Sequence, residues 1–198
     1  AYRDSLFLNA KALSAAGLDE LNIGYIQERV KNDGETIYDE DGISTQKITI
    51  ASGAELSAGS VSLSAMNDIS LGSNSSITST GEATPAKGEP GSLALRSIDG
   101  SVILPSSAVI SAVNEISIDS AGLVKNGTID AGRVMKLGSG NLLIADTGHE
   151  NQVQDIARDL GIEQWMVLGE DFINSFAGLN EVWITGRESI GFLGPVSL

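Results

Sequence analysis

Along most of this chain, hydrophobic residues recur as pairs separated by a single residue. The pair appears as Ile48-Thr49-Ile50, Ile69-Ser70-Leu71, Leu93-Ala94-Leu95, Ile116-Ser117-Ile118 and Met135-Lys136-Leu137, at intervals of 21, 24, 23 and 19 residues. Earlier copies are Leu6-Phe7-Leu8 and Leu21-Asn22-Ile23, less evenly spaced. Between them lie further pairs, Val61/Leu63 and Val102/Leu104, and single anchors at Ile77, Ile110, Leu123 and Ile129. Alternation with period two marks a half-buried strand. Strands this short do not make a stable flat sheet alone. Stacked coil upon coil, each sets its inward Ile or Leu above the one before, and its backbone pairs with neighbours about 4.8 Å away. The pattern predicts an all-β chain built as a parallel β-helix, a solenoid. Ile48, Ile50, Ile69, Leu71, Leu93, Leu95, Ile116 and Ile118 are expected in its inward stacks. An antiparallel sandwich with turns every 8 to 12 residues or so fits the local spacing as well.

Composition separates the two. All nine aromatic residues avoid the stretch 39–164, and 19 of the 25 serines lie between Ser44 and Ser120. A sandwich uses aromatics to fill a wide core, whereas a narrow core of stacked Ile, Leu and Val needs none. Gly and Ser suit the corners, where positive φ and outward polar positions are required. A net charge of −14 argues against nucleic acid and anionic membrane, which bind basic stripes. With no cysteine there is no disulfide scaffold, thiolate metal site or cysteine nucleophile. No apolar run approaches the roughly 20 residues that span a bilayer, so membrane insertion is not expected. The chain starts without Met or a signal-peptide pattern and is expected to be a piece of something larger.

Two stretches break the rhythm and set the expected organisation. Residues 81–91 hold two of the four prolines and read as a loop excursion from the coils of 1–146. From Thr147 the character changes. Thr147-Gly148-His149-Glu150 has capping-box spacing, and Val153, Ile156, Ala157 and Leu160 follow at helical intervals before Gly161. Trp165, Phe172, Phe176 and Trp183 come after it. Residues 147–198 are therefore expected to be a helix-containing, aromatic-bearing cover or insertion that shields a sheet edge. Val182-Trp183-Ile184 and Ile190 to Leu193 predict that strands then resume.

The segment Leu6-Phe7-Leu8-Asn9-Ala10-Lys11-Ala12-Leu13-Ser14-Ala15-Ala16-Gly17-Leu18-Asp19-Glu20-Leu21-Asn22-Ile23-Gly24 resembles one found in the filamentous-haemagglutinin family of large bacterial exoproteins. There, a phrase like L-x-A-x-x-L-x-A-G-G-F-D-x-L-x-L-G precedes serine- and glycine-rich repeats. Ile48 to Ala54 and Asn67 to Ser73 look like such repeats. Ala16 stands where Gly is usual and Leu18 where Phe is usual. The resemblance covers about residues 5–145 and does not extend over 147–198. It implies a right-handed parallel β-helix in a secreted, cell-surface fibre, exported through an outer-membrane two-partner secretion pore. It further implies a role in adhesion, biofilm or contact-dependent competition, toward a cell-surface receptor or glycan that it does not identify. An absence of cysteine suits a chain that crosses the periplasm unfolded. The matched motifs are core-forming repeats, so no binding residue transfers.

Candidate chemistry is sparse, and no catalytic, cofactor or metal residue is assigned. His149, the single histidine, is explained by its place in a helix-entry turn, and no G-x-S-x-G elbow surrounds any serine. Zinc would need more His or Cys. Calcium would find carboxylates in Asn32-Asp33-Gly34 and Asp39-Glu40-Asp41-Gly42, but neither has EF-hand spacing and both read as solvated acidic turns. Asp146, Glu150, Asp155 and Asp159 read as solubilising. Parallel β-helices also carry polysaccharide-cleaving sites. For an enzyme of that kind the close pairs are Arg96/Asp99 and Arg133/Asp130, each explained equally by surface ion pairing. Lys125 and Lys136 stand isolated, and a trimeric fibre tip is a further alternative. Asn126-Gly127 reads as a tight turn between coils, and the acceptor patterns at Asn126 and Asn74 have no role in a bacterial protein.

Overall fold

The computed structural model describes residues 6–26, 28–30, 36–38, 44–81, 91–146, 148–149, 152–153, 155, 159 and 164–194. The chain is mostly β, and its sheets are parallel. The larger sheet contains β1 (Glu20–Ile23), β4 (Ile48–Ile50), β6 (Ser60–Ala65), β7 (Ile69–Leu71), β9 (Ser92–Leu104), β11 (Glu115–Lys125), β13 (Val134–Ala145), β14 (Met166–Gly169) and β15 (Glu181–Leu193). A second contains β5 (Glu55–Ala58), β8 (Ser76–Ser79), β10 (Val109–Ala112) and β12 (Thr128–Ala131). From β8 to β13 the chain alternates between the two sheets, so strands adjacent in sequence are not neighbours in a sheet. Apart from these, β2 (Glu28–Val30) and β3 (Thr36–Tyr38) form an antiparallel pair.

Period-two alternation decides which side chains face the core. In β9, Leu93, Leu95, Val102 and Leu104 are buried while Ala94, Arg96 and Ile103 are more open. In-register pairing turns each inward position into a column. Leu21, Val61, Leu93, Ile116, Met135 and Val182 form one; Ile23, Leu63, Leu95, Ile118, Leu137 and Ile184 form the next. In the second sheet Leu56, Ile77, Ile110 and Ile129 stack in the same way. Burying each Leu or Ile is worth about 1.5–3 kcal/mol, and none of these columns holds an aromatic ring.

The long strands bend midway, and serine manages the bend. Ser97, Ser120 and Ser139 are fully enclosed. Ser97 Oγ donates to the Asn67 carbonyl at 2.7 Å and Ser120 Oγ to the Gly122 carbonyl at 2.8 Å. The Asn67 carbonyl lies in the connection between β6 and β7 and the Gly122 carbonyl at the register shift of β11, places where ladder pairing is interrupted. Gly100 is required nearby, because a Cβ there would lie 2.4 Å from the carbonyl carbon of Asn67.

Several expectations need correction. Leu6-Phe7-Leu8 is not a strand copy: it belongs to no strand, and Leu6 and Phe7 are strongly exposed. Directly after it comes α1 (Ala10–Ala15), which the hydrophobic pairs did not predict. Asn9 caps α1 by accepting from the Ala12 N–H, and an alanine-rich run carries the helix. Ser14 then accepts from the Ser57 N–H and donates to the Glu55 carbonyl, pinning α1 along β5.

The five motif copies do not form one column either. Ile48 pairs with Ile69, but Ile69 pairs with Val102, while Leu93 pairs with Val61. All eight expected inward residues do face the core. The single series mixes two columns, because the extra residues of 81–91 lengthen one interval until it mimics the repeat.

Of the helix expected after Thr147, Val153, Asp155 and Asp159 are helical, and Val153 is buried; Gly148 and His149 form a turn, and Thr147, Glu150, Ile156, Ala157, Leu160 and Gly161 lie outside the described residues. So do both acidic turns, 32–34 and 39–42, and the interior of the 81–91 excursion. Its end residues Gly81 and Gly91, both at positive φ, abut each other.

After β13 the chain does not return to the second sheet. β15 lines β13 from Val134 to Ala145, so β11 and β14 share the other edge of β13, β11 along its first half and β14 along its second. α2 (Glu170–Asn174) follows β14 and buries Phe172 against the core, edge-to-face with Phe176 at 4.8 Å. The Lys125 ammonium sits 4.9 Å from the centre of the Phe172 ring. Trp183, by contrast, covers nothing and is 57% exposed.

Candidate functional site

Outward positions of the larger sheet are columns too. Asn22, Ser62, Ala94, Ser117, Lys136 and Trp183 stand side by side, and so do Ser64, Arg96, Asp119, Gly138 and Thr185. Toward α1 these columns carry small or neutral side chains. Toward β15 they carry charge and one large ring, and the difference makes a groove.

The groove encloses about 420 Å³, between Trp183 on one side and Asp119 with Arg187 on the other. Gly138 forms its floor: a Cβ there would lie 3.1 Å from Asp119 Oδ1 and 3.6 Å from Arg187 Nη1. Arg187 reaches over this gap because β15 bulges. Gly186 pairs with Ser139 and Ser189 with Asn141, so an extra residue of β15 opposes Gly140 and the strand re-aims its side chains. Arg187 Nη1 thereby donates to Asp119 Oδ1 at 2.5 Å, spanning β13. Lys136 pairs with Glu115 at 2.6 Å. The Trp183 ring is tethered by its own strand, its Nε1 donating to Glu181 Oε2 at 3.1 Å. The result is an aromatic face opposite a paired guanidinium and carboxylate, with Ser117 and Thr185 alongside.

Of the sequence-derived candidates, Arg96 stands next to the groove, in register with Asp119, and the others lie on other parts of the fold. Arg96 is outward on β9, and Asp99 lies at the strand bend, exposed, its N–H donating to the Met66 carbonyl. Asp130 belongs to the second sheet, while Arg133 lies in the turn leading to β13. His149 Nδ1 lies 2.5 Å from Asp146 Oδ1, within a turn where Asp146 also accepts from the Gly148 N–H. The hydrogen bond with His149, above all, holds the Asp146 carboxyl below its ordinary value. Among the described residues no serine hydroxyl bonds to His149, and no three His, Asp or Glu side chains gather to hold a metal. Asn126-Gly127 forms the short connection between β11 and β12, strands of different sheets, and both N–H groups donate to the Leu104 carbonyl of the neighbouring strand.

Trp183, Gly138 and Arg187 were missed as a group because they come together only across strands. One signal was present. In Val182-Trp183-Ile184 the alternation puts the tryptophan on the face opposite the aliphatics, an outward aromatic in a region otherwise lined with serine. Compared with protein-family models, with characterised proteins and with solved structures, the chain matches none.

Proposed function

We propose that the two parallel sheets are walls of a right-handed parallel β-helix. We further propose that the chain is a structural and interaction module of a secreted bacterial surface fibre of filamentous-haemagglutinin type. In this reading it leaves the cell through a two-partner secretion pore and supports adhesion or cell contact. The observation that carries the proposal is the in-register stacking of Leu21, Val61, Leu93, Ile116, Met135 and Val182 across six parallel strands. Such stacking needs only neighbour-to-neighbour contacts, so it extends into a rod without a larger core. Serine-rich outward columns and a net charge of −14 favour a long, soluble, mutually repelling surface. The alternative of a polysaccharide-cleaving enzyme would rest on Arg96/Asp99 or Arg133/Asp130, and no specific observation favours it.

The test is retention of protein-coated beads on cultured epithelial cells and on bacterial lawns, against beads carrying the heat-unfolded chain. Retention that depends on the folded coat is expected. Equal retention of folded and unfolded coats on both surfaces would sink the adhesive reading.

A further inference from the structure

The geometry points to the groove between Trp183 and Arg187 as a binding site for a neutral pyranose sugar, one or two rings of a glycan. This deepens the surface-module reading by naming a ligand class, although the site is argued from its own chemistry.

Three features select the ligand. The first is an exposed indole: Trp183 is 57% exposed, and its Nε1 donates to Glu181, which restrains the ring. An exposed tryptophan offers a broad apolar face at little entropic cost. A pyranose presents the matching surface, a patch of C–H bonds on one face of its ring with hydroxyls around the rim.

The second feature is the arrangement of polar groups. Asp119 and Arg187 stand together across the groove, an acceptor and a multiple donor held side by side by their ion pair. Vicinal hydroxyls each donate and accept, and such a pair serves both needs. Ser117 and Thr185 add hydroxyls at the sides. Apolar walls with a few convergent polar groups are what small-ligand sites generally use.

The third feature is charge. Arg187 is engaged by Asp119 and Lys136 by Glu115, so neither cation faces the groove uncompensated. The chain as a whole carries −14. A uronate, sulfate or phosphate would meet no spare positive charge and a repulsive field. Beneath the groove β11 and β13 are each paired on both sides, so a peptide strand could add only along the outer edge of β15, beside the groove and not over its floor. Gly138 supplies the depth, and two rungs of about 4.8 Å each supply the width.

The experiment adds cellotetraose, maltotetraose, mannotetraose and galactotetraose in turn to nitrogen-15-labelled protein, with trigalacturonate as the acidic counterpart. The expected result is millimolar binding of at least one neutral sugar, with the Trp183 indole N–H signal moving and that of Trp165 still. Trp183→Ala should weaken binding at least about tenfold, a loss of about 1.4 kcal/mol. Gly138→Val, which fills the floor, should do the same with the far-ultraviolet dichroism spectrum unchanged. No neutral sugar binding, binding indifferent to Trp183→Ala, or trigalacturonate binding more tightly would each overturn the proposal. Beads that adhere while no sugar binds would remove the sugar site and leave the adhesive module standing.

Discussion

Ile69 stands beside Val102, not beside Leu93, whose neighbour is Val61. The motif copies are similar enough for the 24-residue interval between Ile69 and Leu93 to pass for one turn of the repeat. Pairing says otherwise, and it can be tested because the chain has no cysteine of its own.

Ser62→Cys with Ala94→Cys should form a disulfide on mild oxidation. Those residues pair across neighbouring strands, about 4.8 Å apart, within the roughly 4.4–6.8 Å span a disulfide accepts. Ser70→Cys with Ala94→Cys, the pairing implied by motif spacing, should stay reduced. Mass spectrometry of the oxidised variants reads both; a cross-link in the second and not in the first would reverse the assigned register.

Ile69→Asp should abolish the cooperative unfolding transition, since it puts a charge into a fully buried column with no partner. Ile69→Ala should still fold, at a cost of about 2–5 kcal/mol. Ser70→Asp, on the outward side of the same strand, should change stability by no more than about 0.5 kcal/mol. Thermal melts followed by circular dichroism distinguish these outcomes. If Ile69→Asp melted with the parent, the inward face would be misassigned.

At the strand bend, Ser97→Ala removes the buried hydroxyl that donates to the Asn67 carbonyl, at a cost of about 0.5–1.5 kcal/mol. Gly100→Ala should be at least as damaging, because its Cβ meets backbone atoms of Asn67 and Asp68 that have no rotamer to escape through. Chemical denaturation of the two variants measures both losses. A neutral Gly100→Ala would mean the bend is looser than described.

Asp146 supplies a pH dependence. Its carboxyl in the folded chain titrates below the ordinary 3.8, chiefly because His149 bonds to it. A depressed folded value stabilises the charged form, so the contribution is fully present above about pH 3.8 and is lost as pH falls through the lower folded value. The melting-temperature advantage of the parent over Asp146→Asn should therefore hold at neutral pH and shrink below that point. His149→Ala should bring the Asp146 titration back toward its ordinary position, read by carbon-13 NMR of the carboxyl. An advantage that grew in acid would contradict the assignment. Gly194, at positive φ, presses on the same pair: a Cβ there would fall 2.2 Å from Asp146 Oδ2.

Much of the fold was legible because burial on a strand is a local property. Ile116 and Ile118 must face one way if Ser117 faces the other, whatever the partner strand. The helix at Ala10 was hidden behind an apolar triplet that imitates the strand motif, although Asn9 three residues before Ala12 signals a cap. The bend serines were hidden for a different reason: Ser97 and Ser120 continue the inward phase of Leu93/Leu95 and Ile116/Ile118, but the carbonyls their hydroxyls bond are set by the tertiary path of the chain. The groove was least legible. Lys136 and Arg187 each suggest an ordinary surface charge until their carboxylate partners on β11 are known.

Alternating Ile, Leu and Val, with serine between them and no aromatics from 39 to 164, determined by themselves that this is a β chain with an aliphatic core. That information lies in neighbouring residues, whose side chains point to opposite faces by backbone geometry alone. Tertiary structure decided which strand lies beside which, and so brought Trp183 to Lys136 and Arg187 to Asp119. Partners across a parallel sheet are separated by an entire connection, and the lengths of those connections, irregular at 81–91 and again between β13 and β15, set the register.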